Sequence, residues 1–260
     1  MAIDRTQAPP AGKVQLSSFP RLFKETLSNG IPVIHLPFGG EDLVEIQMVY
    51  RAGHSFENQS GLTQVTSRMM QEGNRSYDSL AFAEILDFYG ASVDIESGFE
   101  STSFSLTTLT RHLDKTVDLL QEMLLHPSFP EKEFSQYRQR SLQQLSVEEK
   151  KTGYVARRNF SRLLFGSQHP YGRMTGREEL TAIQHDQLRA CYHTFFRPGP
   201  AVILCSGKYE TDTLLDVING AFGKMTYLPI QQASLAAGTL FPTETGIHHF
   251  SRSRFFTIYH

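Results

Sequence analysis

The sequence has few cysteines and no surplus of basic residues, and both shortages narrow the range of possible functions. Two cysteines in 260 residues are too few for a disulfide framework, which favours a reducing compartment. With the histidines neutral, the formal net charge is −2, so there is no excess of lysine and arginine to neutralise phosphates. The composition therefore argues against nucleic acid as a partner.

Long apolar runs are also missing. The N-terminal segment, residues 1–21, contains Pro9, Pro10 and Pro20 and lacks the apolar stretch of a secretory signal, so we expect an extended arm there. No run approaches the roughly 18 apolar residues of a membrane-spanning helix. These absences predict a cytoplasmic protein with no membrane partner.

The residues that are present suit an ordinary folded core, since 40% are hydrophobic and 20% are charged. Residues 44–51 alternate between large apolar and mostly polar side chains, which predicts a half-buried strand. Its apolar positions are Val44, Ile46, Met48 and Tyr50. The pair Asn29-Gly30 favours a tight turn between two strands, residues 23–28 and 31–36.

Helical patterns follow along most of the remaining chain. Asp78 is placed to begin a helix that Gly90 ends, and the apolar spacing predicts that Leu80, Ala83 and Leu86 face inward. Pro130 can occupy the first turn of a long helix that continues to about Lys151.

Strand pairs and helical hairpins alternate irregularly rather than as regular βαβ units. We therefore expect one α+β domain at residues 22–224, with an antiparallel or mixed sheet packed against helices. Residues 225–246 lack periodicity and are predicted to form a linker. Residues 247–260 resemble the first strand of a second, similar domain, so the sequence is expected to be one half of a longer protein.

One stretch, residues 53–72, reads as the end of a strand, a polar loop and a helix beginning near Ser60. It resembles the signature segment of the insulinase/pitrilysin metallopeptidases, the inverted zincins. Further pieces of the chain resemble that family in the same order, and together they extend over about 200 residues. These pieces are residues 27–30 (LSNG), 50–53 (YRAG), 71–73 (QEG), 129–131 (FPE), 169–172 (HPYG) and 195–198 (FFRP).

The resemblance implies a zinc site whose residues this chain does not carry. Active family members have H-x-x-E-H on this helix, where two histidines bind zinc and the glutamate activates a water molecule. At those positions the chain has Gln64, Ser67 and Arg68. The family's third ligand, a glutamate on the long helix, corresponds to Gln144. The resemblance therefore predicts no catalytic residue, no metal ligand and no zinc cofactor.

Two interpretations of Arg68 remain open. It is either a surface residue of a helix that no longer needs a ligand, or it forms an ion pair across the vacated site or contacts a partner or peptide.

The family also binds its substrate peptide as an added strand at the edge of the sheet, beside the metal-binding helix. By position, the resemblance assigns this edge strand to Val93, Asp94, Ile95 and Glu96. An ordinary edge strand with no ligand is the alternative.

The predicted function is that of a non-catalytic family member. We expect it to form a homodimer or a heterodimer with an active subunit, and to help that subunit to enclose or bind peptide. One alternative is a metalloendopeptidase whose zinc site is not recognised from the sequence. Another is a peptide-binding or assembly module with no proteolytic partner.

Other chemistries receive little support from the sequence. The adjacent pair His248-His249 is an awkward metal site, since neighbouring strand residues point apart. Cys205 lies in an apolar strand and is expected to be part of the core. The sequence has no G-x-S-x-G, P-loop or G-x-G-x-x-G motif.

Overall fold

A computed structural model describes residues 20–227 of the protein. Within them, six strands form one mixed sheet. The strands are β1 (Phe23–Thr26), β2 (Pro32–Pro37), β3 (Leu43–Tyr50), β4 (Ser92–Ser97), β5 (Thr102–Leu109) and β6 (Val202–Gly207). Their order across the sheet is β1-β2-β6-β3-β5-β4. Only the β2–β6 pair is parallel, and β1 and β4 form the two edges.

Eight α-helices and two short 3-10 helices, Thr110–His112 and Pro170–Gly172, complete the described residues. The α-helices are α1 (Leu62–Gln71), α2 (Ser79–Tyr89), α3 (Leu113–Leu125), α4 (Glu131–Glu148), α5 (Thr152–Phe165), α6 (Arg177–Ala182), α7 (His185–Phe195) and α8 (Thr211–Phe222). Both α1 and α3 pack on β5, and α1 also packs on the edge strand β4 and on α7. The α+β prediction, with a sheet packed against helices, is confirmed.

The main core lies on one face of the sheet. The alternating residues of β3 point into it, and Ile46, Met48 and Tyr50 are at most 1% exposed. Tyr50 packs at 5.6 Å from Phe104 of β5 and at 5.5 Å from Phe196, measured between ring centroids. Side chains from neighbouring strands share this face because the register places Ile46 opposite Leu106 and Met48 opposite Phe104.

Helix α2 begins and ends as predicted but presents a different face. The side chain of Asp78 accepts a hydrogen bond from the backbone N–H of Ala81 at 2.8 Å, and Gly90 ends the helix with φ 61°. The buried positions are Phe82, 1% exposed, and Leu86, 5% exposed, so the prediction for Leu86 is confirmed, whereas Leu80 is 69% exposed and Ala83 is also exposed. The predictions for Leu80 and Ala83 were wrong because several apolar stripes fit this helix, and packing against the rest of the core decides which stripe is buried.

The predicted arm, linker and second-domain start, residues 1–21, 225–246 and 247–260, lie almost wholly outside the described residues. Those boundaries stay predictions. No helix within residues 20–227 combines the length and apolar character needed to span a membrane.

Candidate functional site

Helix α1 is held at its N-terminus by a buried carboxylate from the loop before it. Glu57, whose side chain is 1% exposed, accepts hydrogen bonds from the backbone N–H of Gly61 at 2.6 Å and of Thr63 at 2.8 Å. The hydroxyl of Thr63 donates a further bond at 2.8 Å, and Nδ1 of His54 lies 2.7 Å from the carboxylate. Glu57 thus satisfies backbone donors that the helix itself leaves free.

The environment of Glu57 favours its charged form. Burial, the largest single influence, raises the pKa of this carboxyl, but the bonds from His54, Thr63 and Gly61 outweigh it and lower the pKa below its usual value. A charged carboxylate is therefore a structural component of the loop that positions α1.

The same loop lies directly against the turn between β4 and β5. The backbone N–H of Ser55 donates to the carbonyl of Phe99 at 2.8 Å, and that of His54 to the carbonyl of Gly98 at 3.3 Å. A Cβ atom on Gly53 would lie 2.5 Å from the Phe99 carbonyl oxygen. Only glycine allows this approach, which fixes α1 relative to the end of β4.

The three residues of α1 that the resemblance aligned with the family's zinc site lie in different environments. Gln64 and Arg68 are exposed, whereas Ser67 is fully buried. The Ser67 hydroxyl donates to the carbonyl of Gln64 at 2.9 Å and lies 3.0 Å from the hydroxyl of Ser97 on β4. Ser67 therefore connects the helix to the edge strand, and its hydroxyl is already engaged in hydrogen bonds.

The exposed side of α1 faces residues of α4. A guanidinium nitrogen of Arg140 lies 3.6 Å from the carboxylate of Glu72. Burial raises the pKa of the Tyr137 hydroxyl, and a hydrogen bond with Ser141 and then the nearby charge of Arg68 partly offset that rise. Arg68 itself forms no ion pair with any of residues 20–227, so an ion pair across the site is not found there.

Gln144 is exposed on α4, seven residues after Tyr137 and so on the same side of the helix. Among the described residues it makes no hydrogen bond to α1. Of the four residues that the resemblance aligned with the zinc site, three therefore lie on α1 and the fourth on α4.

These side chains do not suit a zinc ion. Zinc in proteins is bound by imidazole, thiolate or carboxylate groups, and the four positions offer two amides, a hydroxyl already hydrogen-bonded and a guanidinium with fixed positive charge. Elsewhere in residues 20–227 there is likewise no group of three or more histidine, cysteine, aspartate or glutamate side chains that could hold a metal.

The predicted peptide-binding residues lie in β4, which is an edge strand with no neighbour beyond it among residues 20–227. Val93 and Ile95 point into the core, whereas Asp94 and Glu96 are exposed on the opposite face. The side-chain amide of Gln71, the last residue of α1, donates to the carbonyl of Val93 at 3.3 Å.

Neither cysteine is placed for nucleophilic chemistry. Cys205 and Cys191 are 3% exposed, and burial raises the pKa of each thiol to about 12, so both remain protonated at neutral pH. The pair His248-His249 lies outside the described residues.

A family model described as Insulinase (Peptidase family M16) matches residues 40–173, which include α1, the edge strand and α4. The chain belongs to the insulinase family of peptidases. Within that family it resembles the non-catalytic members that lack H-x-x-E-H.

Three proteins illustrate the similarity. A non-peptidase homologue, YmxG of Helicobacter pylori, is 24% identical over 207 residues, covering 76% of this chain and 46% of the relative. Mitochondrial-processing peptidase subunit beta of Caenorhabditis elegans is 23% identical over 219 residues, with coverage of 80% and 46%. A solved structure of a peptidase M16 inactive domain from Pseudomonas fluorescens matches with TM-score 0.72 and 18% identity, covering 81% of this chain and 52% of that one. The chain thus spans about half the length of the relatives it matches.

Sequence reasoning missed two residues that organise the site. Glu57 stabilises α1 from four residues before Gly61, outside the usual capping position, so no local motif marks it. Gln71 reaches β4 only through the packing of α1 against the sheet.

Proposed function

We propose that this protein is a non-catalytic subunit of an insulinase-family assembly. It pairs with a subunit that carries an intact H-x-x-E-H motif and contributes a surface that encloses or binds peptide. The observation that carries the proposal is the contrast between a preserved scaffold and a site without metal donors.

The preserved scaffold consists of α1 and the residues that hold it in place. Glu57 and Gly53 fix the helix against the β4–β5 turn, and the edge strand β4 lies beside it. The loss of metal chemistry is clearest at two residues. The charge of Arg68 repels a cation, and Ser67 is too weakly basic to activate water. A scaffold kept without its chemistry is consistent with a binding or closing role.

The named relatives support the same interpretation. One is a non-peptidase homologue and another an inactive domain, while a third is one subunit of a processing peptidase. A subunit that closes a chamber needs the fold and the edge strand but no zinc.

The first test measures metal and activity in the full-length protein by itself. After dialysis against zinc chloride, elemental analysis should find no stoichiometric zinc, and a quenched-fluorescence peptide set should remain uncleaved with and without chelator. Chelator-sensitive cleavage would overturn the proposal and favour a metallopeptidase with an unrecognised site.

The second test adds a partner. The protein is co-expressed with an H-x-x-E-H-bearing family member from the same genome, and the complex is measured by light scattering after gel filtration. We expect a stable complex whose peptidase activity exceeds that of the partner by itself. If no complex forms while the protein still binds peptide, it is a peptide-binding module without a proteolytic partner.

A further inference from the structure

The hydrogen-bond register of β4 determines which of its backbone groups point away from the sheet. The backbone N–H of Gly98 donates to the carbonyl of Ser101 at 2.8 Å, so these two residues form a hydrogen-bonded pair at the end of the β4–β5 hairpin. In antiparallel strands such pairs alternate with pairs whose N–H and C=O groups point outward. Val93, Ile95 and Ser97, which pair with Leu106, Phe104 and Thr102, therefore direct their backbone groups to the free edge.

The contact from Gln71 agrees with this register, because it reaches the outward carbonyl of Val93. The outward N–H and C=O groups of Ile95 and Ser97 have no hydrogen-bond partner among residues 20–227. The Gln71 side chain thus occupies the outward carbonyl of Val93. It leaves the outward carbonyls of Ile95 and Ser97 open.

We infer that Gln71 limits how much of β4 can receive an added strand. An extended peptide pairs with Ile95 and Ser97, and the Gln71 amide competes with the peptide for the carbonyl of Val93. This inference rests on the proposed peptide-binding function and specifies its register. The ligand it requires is an extended segment whose N–H and C=O groups are free at alternate residues.

The same contact covers part of the exposed edge of β4 within the single chain. Open edges invite pairing with other chains, and proteins cover them with side chains or charges. Gln71 covers one end of β4, while Asp94 and Glu96 place charges along it. A segment that extends past Ile95 toward Val93 must therefore displace the Gln71 amide.

The test uses a fluorescein-labelled eight-residue peptide of alternating valine and threonine, together with a series in which single backbone nitrogens are methylated. Binding is measured by fluorescence anisotropy to the wild-type protein, to Gln71→Ala and to the matched control Gln143→Ala, a glutamine exposed on α4. Losing one competing neutral hydrogen bond should tighten binding to Gln71→Ala by about threefold to tenfold. With Gln71→Ala, methylation should weaken binding at one more peptide nitrogen than it does with the wild-type protein.

The outcomes separate this inference from the proposed function. Tighter binding with a longer footprint in Gln71→Ala, and no change in Gln143→Ala, supports it. Equal affinity and the same footprint in all three proteins overturn the role of Gln71 but leave peptide binding in place. If none of the proteins binds the peptide, while circular dichroism shows them folded, peptide binding at β4 and the role of Gln71 both fail.

Discussion

Gly53 places two backbone segments in direct contact, because its missing side chain leaves room for the carbonyl of Phe99. The contact joins the loop before α1 to the turn after β4, and it therefore aligns the helix with the edge strand. A residue with no side chain sets the geometry of the whole candidate site.

The substitution Gly53→Ala tests this contact. Its Cβ would lie 2.5 Å from the carbonyl oxygen of Phe99, so the backbone must shift, and we expect a loss of about 1–3 kcal/mol in the free energy of unfolding. Gly40→Ala is the control, since a Cβ atom at Gly40 would have no other atom within 4 Å. Urea denaturation measures both, and equal stability of the two variants would contradict the expectation.

Glu57 is a second single residue on which the site depends, and it acts through the charge of its carboxylate. Hydrogen bonds from His54, Thr63 and Gly61 hold its pKa below the ordinary value of 4.5 despite burial. Because the folded-state pKa is depressed, the stabilisation is fully present above about pH 4.5 and is lost as the pH falls through the folded-state pKa.

Glu57→Gln is expected to lower the free energy of unfolding at pH 7 by about 1.5–3 kcal/mol, since it weakens charged hydrogen bonds inside the protein. Its stability should also fall less than that of the wild type between neutral pH and pH 3. Denaturation curves across this range measure both effects. Glu45→Gln, at an exposed position of β3, should change stability by less than about 0.5 kcal/mol; a matching loss there would argue against a special role for Glu57.

At the scale of elements, helix α2 shows which local signals determine a helix. Its start is set by Asp78 and its end by Gly90, and both are visible in the sequence. Its buried side is set by packing into the core, which buries Phe82 and Leu86 and leaves Leu80 exposed.

Replacing the capping residue, Asp78→Ala, removes the hydrogen bond to the N–H of Ala81. The expected cost is about 1 kcal/mol, as for helix caps generally. Asp87→Ala serves as the control because Asp87 is exposed in the last turn of the same helix. Thermal and urea unfolding should separate the two variants, and a neutral result for Asp78→Ala would show that the cap contributes little.

For the whole molecule, the predicted correspondence to the family's zinc site can be tested by introducing metal donors at three of the four positions. The variant Gln64→His/Arg68→His/Gln144→Glu places two imidazoles on α1 and a carboxylate on α4. If the fold retains the family geometry, it should bind about one zinc ion per chain. It should still fail to hydrolyse peptides, because Ser67 supplies no general base.

Elemental analysis and calorimetry measure the binding. The control variant carries Gln143→Glu in place of Gln144→Glu, which moves the carboxylate about 100° around α4, and it should bind zinc more weakly. Equal zinc binding by both variants would mean that α4 does not supply the third position.

Much of the fold was predictable because the signals are local. The alternation of β3, the glycine that ends α2 and the Asn29-Gly30 turn each depend on neighbouring residues. The edge position of β4 was assigned by family resemblance, and the strand order agrees with it. The roles of Ser97 and Gln71 were not predictable, since both depend on how α1 packs across β4.

The sequence by itself determined the α+β class and the family, and it supplied the prediction of which four residues correspond to the family's zinc site, because these follow from residue type and order. Tertiary structure decided what those side chains do. Ser67 is buried and bonded to Ser97 while Arg68 is exposed, because α1 turns one face to the sheet. It also decided that Glu57 anchors α1 and that Gln71 covers part of β4. Contacts between segments distant in the chain depend on packing, which no short sequence pattern encodes.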